Sequence, residues 1–203
     1  MTDRIVSSRG PKEFLGQKPS VCRFCFKTAP EATFRKEAHA ISELAGNGTL
    51  LSFYECDACN DRFSAFEDDL GKLTLLEHLA GQVLGKSGVP SAKTGQKRSR
   101  IDLDVTGFRI EEHDGDPIAE IDHEAQTLTI TISPQPYRPL GVFKALVKMT
   151  LTLMDQGDIA KVPEALRWLR AADLRSENRS DRRRHSLLMH SDLHTGTGPV
   201  HDH

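Results

Sequence analysis

The sequence predicts an α+β protein in which a small zinc-braced domain precedes a strand-and-helix unit. Two observations carry this. Paired CxxC motifs, Cys22-x-x-Cys25 and Cys56-x-x-Cys59, flank short β-like segments and run into a helical repeat. Farther along, alternating apolar positions at Ile101, Leu103, Val105 and again at Leu128, Ile130, Ile132 precede two apolar helices.

The chain has 203 residues, enough for one moderate core or two small domains, and its 37% hydrophobic and 28% charged content is that of a soluble protein. No apolar run approaches the roughly 20 residues that span a bilayer, and MTDRIVSSRG lacks a signal peptide's hydrophobic stretch. A cytoplasmic protein without a membrane partner is therefore expected. Thiols stay reduced there, so two CxxC pairs favour one tetrahedral zinc over disulfides. A net charge of −2 excludes a generic DNA-coating polycation. The acid-free stretch Lys86, Lys93, Lys97, Arg98, Arg100 and the run Arg182-Arg183-Arg184 read either as solvated segments or as phosphate contacts beside the zinc domain.

Residues 1–20, polar and broken by Gly10-Pro11 and Lys18-Pro19, read as an extended lead segment. Residues 21–84 form the cysteine domain. In it, Thr33 to Ile41 and Leu50 to Tyr54 read as strands, joined through a Gly46-Asn47-Gly48 turn. From Asn60, the residues Phe63, Phe66, Leu70, Leu73, Leu76 and Leu79 mark one helix face, weakened but not ended by Gly71. Residues 85–100 read as a basic linker of Gly, Ser, Pro and Lys. Residues 101–175 are expected to hold two or three antiparallel strands with a turn at Asp114-Gly115, then a helix from Val142 to Met154 and another from Pro163, with Trp168 as a core anchor. Residues 176–203, rich in Ser, Arg, His and Gly, are expected to be disordered; the tail histidines His185, His190, His194, His201 and His203 read either as loose metal ligands or, in preference, as part of that disorder.

The chemistry concentrates near the cysteines. Residues two apart in a strand share a face, so Glu37 and His39 can face one site, with Asn60 at the helix start converging on it in a ββα unit. Carboxylate and amide oxygens suit Mg²⁺ or Mn²⁺, and neutral histidine is the commonest base near pH 7. Each residue has a plainer reading as well. His39 can be a partly buried structural histidine, Asn60 a helix cap, Asn47 a residue tolerating a left-handed turn, and Glu67-Asp68-Asp69 a solvated helix face.

The pattern CRFC, KEAHAISELAGN, ECDACN and FSAFEDDL resembles the HNH endonucleases, in particular the group braced by a four-cysteine zinc. The resemblance covers about residues 22–79. It implies a treble-clef-like ββα-metal fold, a structural zinc on Cys22, Cys25, Cys56 and Cys59, and DNA as partner. It further implies His39 as general base, Asn47 orienting it, and Asn60 with Glu37 holding a catalytic Mg²⁺ or Mn²⁺. Ala38 stands where such proteins usually carry the metal-binding acid or histidine, and Ser42 where a proline is common; Asp57, Asp61 and Glu67 lie close enough in sequence to replace Glu37. The later unit is expected to position substrate or to mediate self-association as a homodimer. From a different class, a non-catalytic zinc module that binds nucleic acid or a protein partner fits the same cysteines.

Overall fold

Three very short strands organise the N-terminal half: β1 (Glu13–Leu15), β2 (Ala38–His39) and β3 (Leu50–Ser52). Their order is β1-β3-β2, with β1 parallel and β2 antiparallel to the buried central strand β3. The computed structural model describes residues 6–18, 21–84, 88–104, 107–133, 135–171 and 185–190. The strand expected over Thr33 to Ile41 is confined to Ala38–His39. Asp57 holds the chain before it in a loop, accepting hydrogen bonds from the Arg35 and Lys36 amides at 2.9 and 2.8 Å.

After β3 the chain enters α1 (Asp57–Leu73), which buries Cys59, Phe63, Phe66, Asp69 and Leu70 along one stripe. Gly71 lets Leu44 lie against the helix, since a Cβ would come within 2.5 Å of Leu44 Cδ1 and push that side chain aside. The helical repeat expected to run through Leu79 breaks at Thr74. Its hydroxyl and amide both bond the Leu70 carbonyl, at 2.9 and 3.0 Å, and α2 (Leu75–Ala80) starts afresh.

Six strands follow: β4 (Ala92–Lys93), β5 (Arg100–Asp104), β6 (Gly107–Glu111), β7 (Ala119–Asp122), β8 (Thr127–Ile132) and β9 (His185–His190). They form two antiparallel sheets, β4-β5-β6 and β7-β8-β9. Two expectations change here. The segment read as a linker contributes β4, and its Ala92 and Ser99 are fully buried. Polar pins do the work of an apolar pattern: Asp116 accepts from the Thr94 hydroxyl and the Ser99 amide, and Ser99 Oγ accepts from the His113 amide at 2.8 Å. Residues 185–190, expected to be disordered, pair with the whole of β8 from Thr127↔His190 to Ile132↔His185. The rest of that expectation, with Lys86 and the Arg182 run, lies outside the described residues.

Helices α3 (Pro139–Leu153), α4 (Gln156–Ile159) and α5 (Pro163–Arg170) complete the fold, the first and last with proline in the first turn. They share one core with the cysteine region, in which Phe24, Phe63 and Phe66 meet Ala145, Leu151, Leu166 and Leu169. The strands build a second core with α2, from Leu79, Ala92, Ile101, Ile118, Ile130 and Ile132. Strands and helices of residues 101–175 thus belong to different cores. Among the described residues no helix is long and apolar enough to cross a membrane.

Helix α3 seats itself by charge as much as by apolar area. Lys144, Lys148 and Thr152, four residues apart, face inward, while Phe143, Leu146 and Leu153 are exposed. At its start Asp69 accepts from the Arg138 amide and Nε at 3.1 and 2.7 Å, and a Cβ on Gly141 would come within 2.2 Å of Asp69 Oδ2. Asp69 and Glu67 are therefore tied to α3 rather than solvated; of the three acids, Asp68 alone stays outside, paired with Lys72. At the other end the buried Arg23 donates to the carbonyls of Leu151, Thr152 and Met154 at 2.8, 3.1 and 2.9 Å. Its guanidinium lies 3.5 Å above the Tyr54 ring. Arg23→Ala strips three helix-end carbonyls of their donor and should lower unfolding free energy by about 2–3 kcal/mol, as read from urea titration. A change near zero would mean that water replaces the cap.

Candidate functional site

The first CxxC is held in a tight turn. The Phe26 amide donates to Cys22 O at 2.9 Å, the Cys22 amide to Lys27 O at 2.9 Å, and Val21 bridges Thr28. Phe26 takes a left-handed backbone, φ 62°, to close it. The second CxxC uses the helix instead: Cys56 occupies the N-cap position of α1 and Cys59 its first turn. This brings all four Sγ atoms within 4.8 Å of one another, and the group can hold a metal ion. Cys25 Sγ and Cys56 Sγ lie 3.7 Å apart, close to the ~3.8 Å edge of a tetrahedron with metal–sulfur bonds of about 2.3 Å.

Crowding splits the thiols in acidity. The hydrogen bond from Cys59, helped by backbone amides and opposed by burial, brings Cys22 down to about 4. The same bond holds the proton on Cys59, and burial pushes Cys56 up to about 11. One thiolate thus sits among neighbours whose ionisation it opposes. A cation at the centre reverses that repulsion, which is the condition for a four-thiolate shell.

His39 lies on the edge strand β2, paired with Leu51, its side chain 22% exposed. Its Nδ1 is 3.1 Å from the main-chain carbonyl of Asn47. A carbonyl only accepts, so this bond places the proton on Nδ1 and leaves Nε2 with its lone pair. Nε2 faces Glu43 Oε1 at 3.7 Å. Glu43 opens a single 3₁₀ turn, Glu43–Ala45, capped at the front by Ser42 and ended by Gly46 at φ 81°.

Asn47 serves His39 through that carbonyl and serves the loop through its side chain. Its Nδ2 donates to Ile41 O and Leu50 O at 2.6 and 2.8 Å, and Oδ1 accepts from the Leu50 amide at 2.8 Å. Gly48 admits the lead segment, since a Cβ there would lie 2.2 Å from Ser8 O. A cleft of about 240 Å³ opens beside the loop, lined by Ser8, Arg9, Glu43, Asn47, Gly48 and Leu84 among others.

The remaining expected residues fall elsewhere. Glu37 precedes β2, is 53% exposed and pairs with Lys12. Asn60 is not the cap of α1: it is the fourth helical residue, its amide bonded to Cys56 O at 2.9 Å, and it lies on the same helix face as Glu67. The alternative acids are also engaged, Asp57 with the 33–36 loop, Asp61 with Lys36 and Glu67 with Lys148. Among the described residues the four cysteines are the only group of three or more His, Cys, Asp or Glu side chains close enough to share an ion.

Two neighbours of His39 were not singled out from sequence. Glu43 stands four residues after His39, a spacing whose meaning depends on the intervening turn. Lys148 comes from α3 and reaches His39 O at 2.8 Å, Glu67 Oε1 at 3.0 Å and Glu55 Oε2 at 3.3 Å. Burial pushes Glu55 up to about 7 against the pull of Lys148, whose own pKa is raised by its two carboxylates despite burial. The signal available in the sequence was a pair of lysines four apart inside an apolar helix. No family model, no curated protein and no solved structure matches the chain.

The purified protein should carry about one tightly bound metal ion per chain, and strong chelators should unfold it. Metal analysis with thermal melting before and after chelation checks this; metal-free protein of unchanged stability would contradict it.

Proposed function

We propose that the chain is a metal-dependent endonuclease of the HNH type acting on DNA, with His39 as general base and a structural zinc on Cys22, Cys25, Cys56 and Cys59. The observation that carries the reading is the His39 Nδ1 to Asn47 carbonyl bond, which leaves Nε2 basic and turned to the neighbouring acid. The motif resemblance across residues 22–79 supports it independently. A zinc held by these four thiolates would have no open position, so it would brace the site and take no part in bond breaking.

His39 Nε2 takes a proton from water, the water oxygen forms a bond to phosphorus, and the bond from phosphorus to the 3′ oxygen breaks in line. Glu43, 3.7 Å away, then stabilises the imidazolium. Of the acids and amides expected as ligands or found nearby, Glu43 alone stands beside His39; its carboxylate would suit Mg²⁺ or Mn²⁺, which needs few protein ligands and keeps waters and phosphate oxygens, whereas Glu37 is engaged with Lys12 and Asn60 lies on the Glu67 face of α1. When bound, such an ion neutralises charge on the phosphate and the leaving oxygen. Arg9, exposed at the cleft, is placed to meet phosphate. A cytoplasmic setting, where thiolates persist, accords with this chemistry. One observation favours the second reading, a non-catalytic zinc module for nucleic acid or protein: Glu37 is engaged with Lys12 rather than held toward His39.

Plasmid, linear and single-stranded DNA incubated with Mg²⁺ or Mn²⁺ should be cut, and His39→Ala should lose about a hundredfold or more in rate at unchanged metal content and melting temperature. A metal-loaded, folded His39→Ala protein that cuts at the wild-type rate would exclude the mechanism. Glu43→Ala should raise the Mn²⁺ concentration needed for half-maximal rate more than Glu37→Ala does. The reverse order would return the role of metal ligand to Glu37.

A further inference from the structure

The carbonyl of His39 has no partner in its own sheet. The Ala40 amide donates to Leu50 O at 3.1 Å, so the alternation of an antiparallel ladder makes His39 and Leu51 a non-hydrogen-bonded pair. Because β2 is an edge strand, this turns the His39 carbonyl outward, away from β3. A group so placed, beside a packed helix, needs a donor from elsewhere in the fold. The donor is Lys148 Nζ at 2.8 Å, from a side chain only 1% exposed and 109 residues away in sequence. The same ammonium meets Glu67 on α1 and Glu55 at the end of β3.

We propose that Lys148 is a positioning residue for His39, so that helix α3 completes the candidate base site from the far half of the chain. Lys148 fixes the main chain of a two-residue strand at the residue whose ring meets Asn47 O and Glu43. Without it, the carbonyl seeks another donor, β2 loosens at its outer edge, and the ring's bond to Asn47 O loses its fixed geometry. The carboxylates play the supporting part: Glu55, with neither oxygen aligned for a hydrogen bond, and Glu67 hold the ammonium in a dry site where it would otherwise be expelled. The consequence for catalysis rests on the reading of His39 as a base, whereas the consequence for ring orientation does not.

Two full-length variants test it. Lys148→Met leaves the buried Glu55 carboxylate facing the half-buried Glu67 without a counter-charge; the variant Lys148→Met/Glu55→Met/Glu67→Gln removes the charges together, a replacement that buried ion clusters generally tolerate, and is the one judged. The readouts are the ¹H–¹⁵N spectrum of the His39 ring and, separately, kcat and KM for cleavage. In the triple variant the Nδ1 proton of His39 should exchange faster with water and its tautomer should become mixed. At the same time kcat should fall by on the order of tenfold or more with KM little changed. If the wild-type protein cuts no DNA, the nuclease reading fails and the ring spectrum still decides the positioning role. A folded triple variant whose His39 signals match wild type overturns the proposal. So does a triple variant that cannot fold, because the triad then serves the fold rather than the histidine.

Discussion

The convergence of four thiols within 4.8 Å is the constraint on which the described structure depends. Strands of two and three residues hold no sheet together by themselves, since even a longer isolated hairpin is marginal in water. Closing residues 26–55 between the two CxxC pairs removes much of the chain's freedom at once and seats β3 between the knuckles. The first helical turn of α1 is pinned by Cys56 and Cys59, so the phase of its apolar stripe, and with it the place where α3 can lie, follows from the cysteines.

Charge then decides how α3 lies. A helix with lysines at 144 and 148 on its buried face can rest only where acceptors wait for both ammoniums: Ala171 O for Lys144, and His39 O, Glu55 and Glu67 for Lys148. Slipping by one turn, about 5.4 Å, would take at least one ammonium from its acceptors inside an apolar core. Asp69 at the start and Arg23 at the end fix the same register from both termini. The carboxy-terminal helices are thus built into the core of the cysteine region and reach His39 through Lys148.

The parts of this fold that were legible in the sequence are those with local chemistry. The cysteine spacing, the stripe from Phe63 to Leu70, the proline start at 163 and the alternation in β8 each depend on residues a few positions apart. The parts that were not legible depend on partners far away. Ser99 looks like linker until Asp116 and His113 reach it, and Asp69 looks solvated until Arg138 does. The inward face of α3 carries lysines and its outward face Phe143 and Leu153, so apolar content identified the helix and left its orientation unread. At the site, His39 and Asn47 could be picked out from their motif. Glu43 could not, because its position beside the ring depends on the 3₁₀ turn between them.

The proposed mechanism needs a hard cation at Glu43, beside the base His39 and distinct from the thiolate cluster. Its most direct test is paramagnetic broadening in NMR spectra of the full chain, with the cysteine site loaded and Mn²⁺ added in small amounts. The account predicts that the ring signals of His39 and the side-chain signals of Glu43 broaden first, and that Glu43→Ala weakens the effect. Broadening confined to other acids while His39 and Glu43 stay sharp would contradict it.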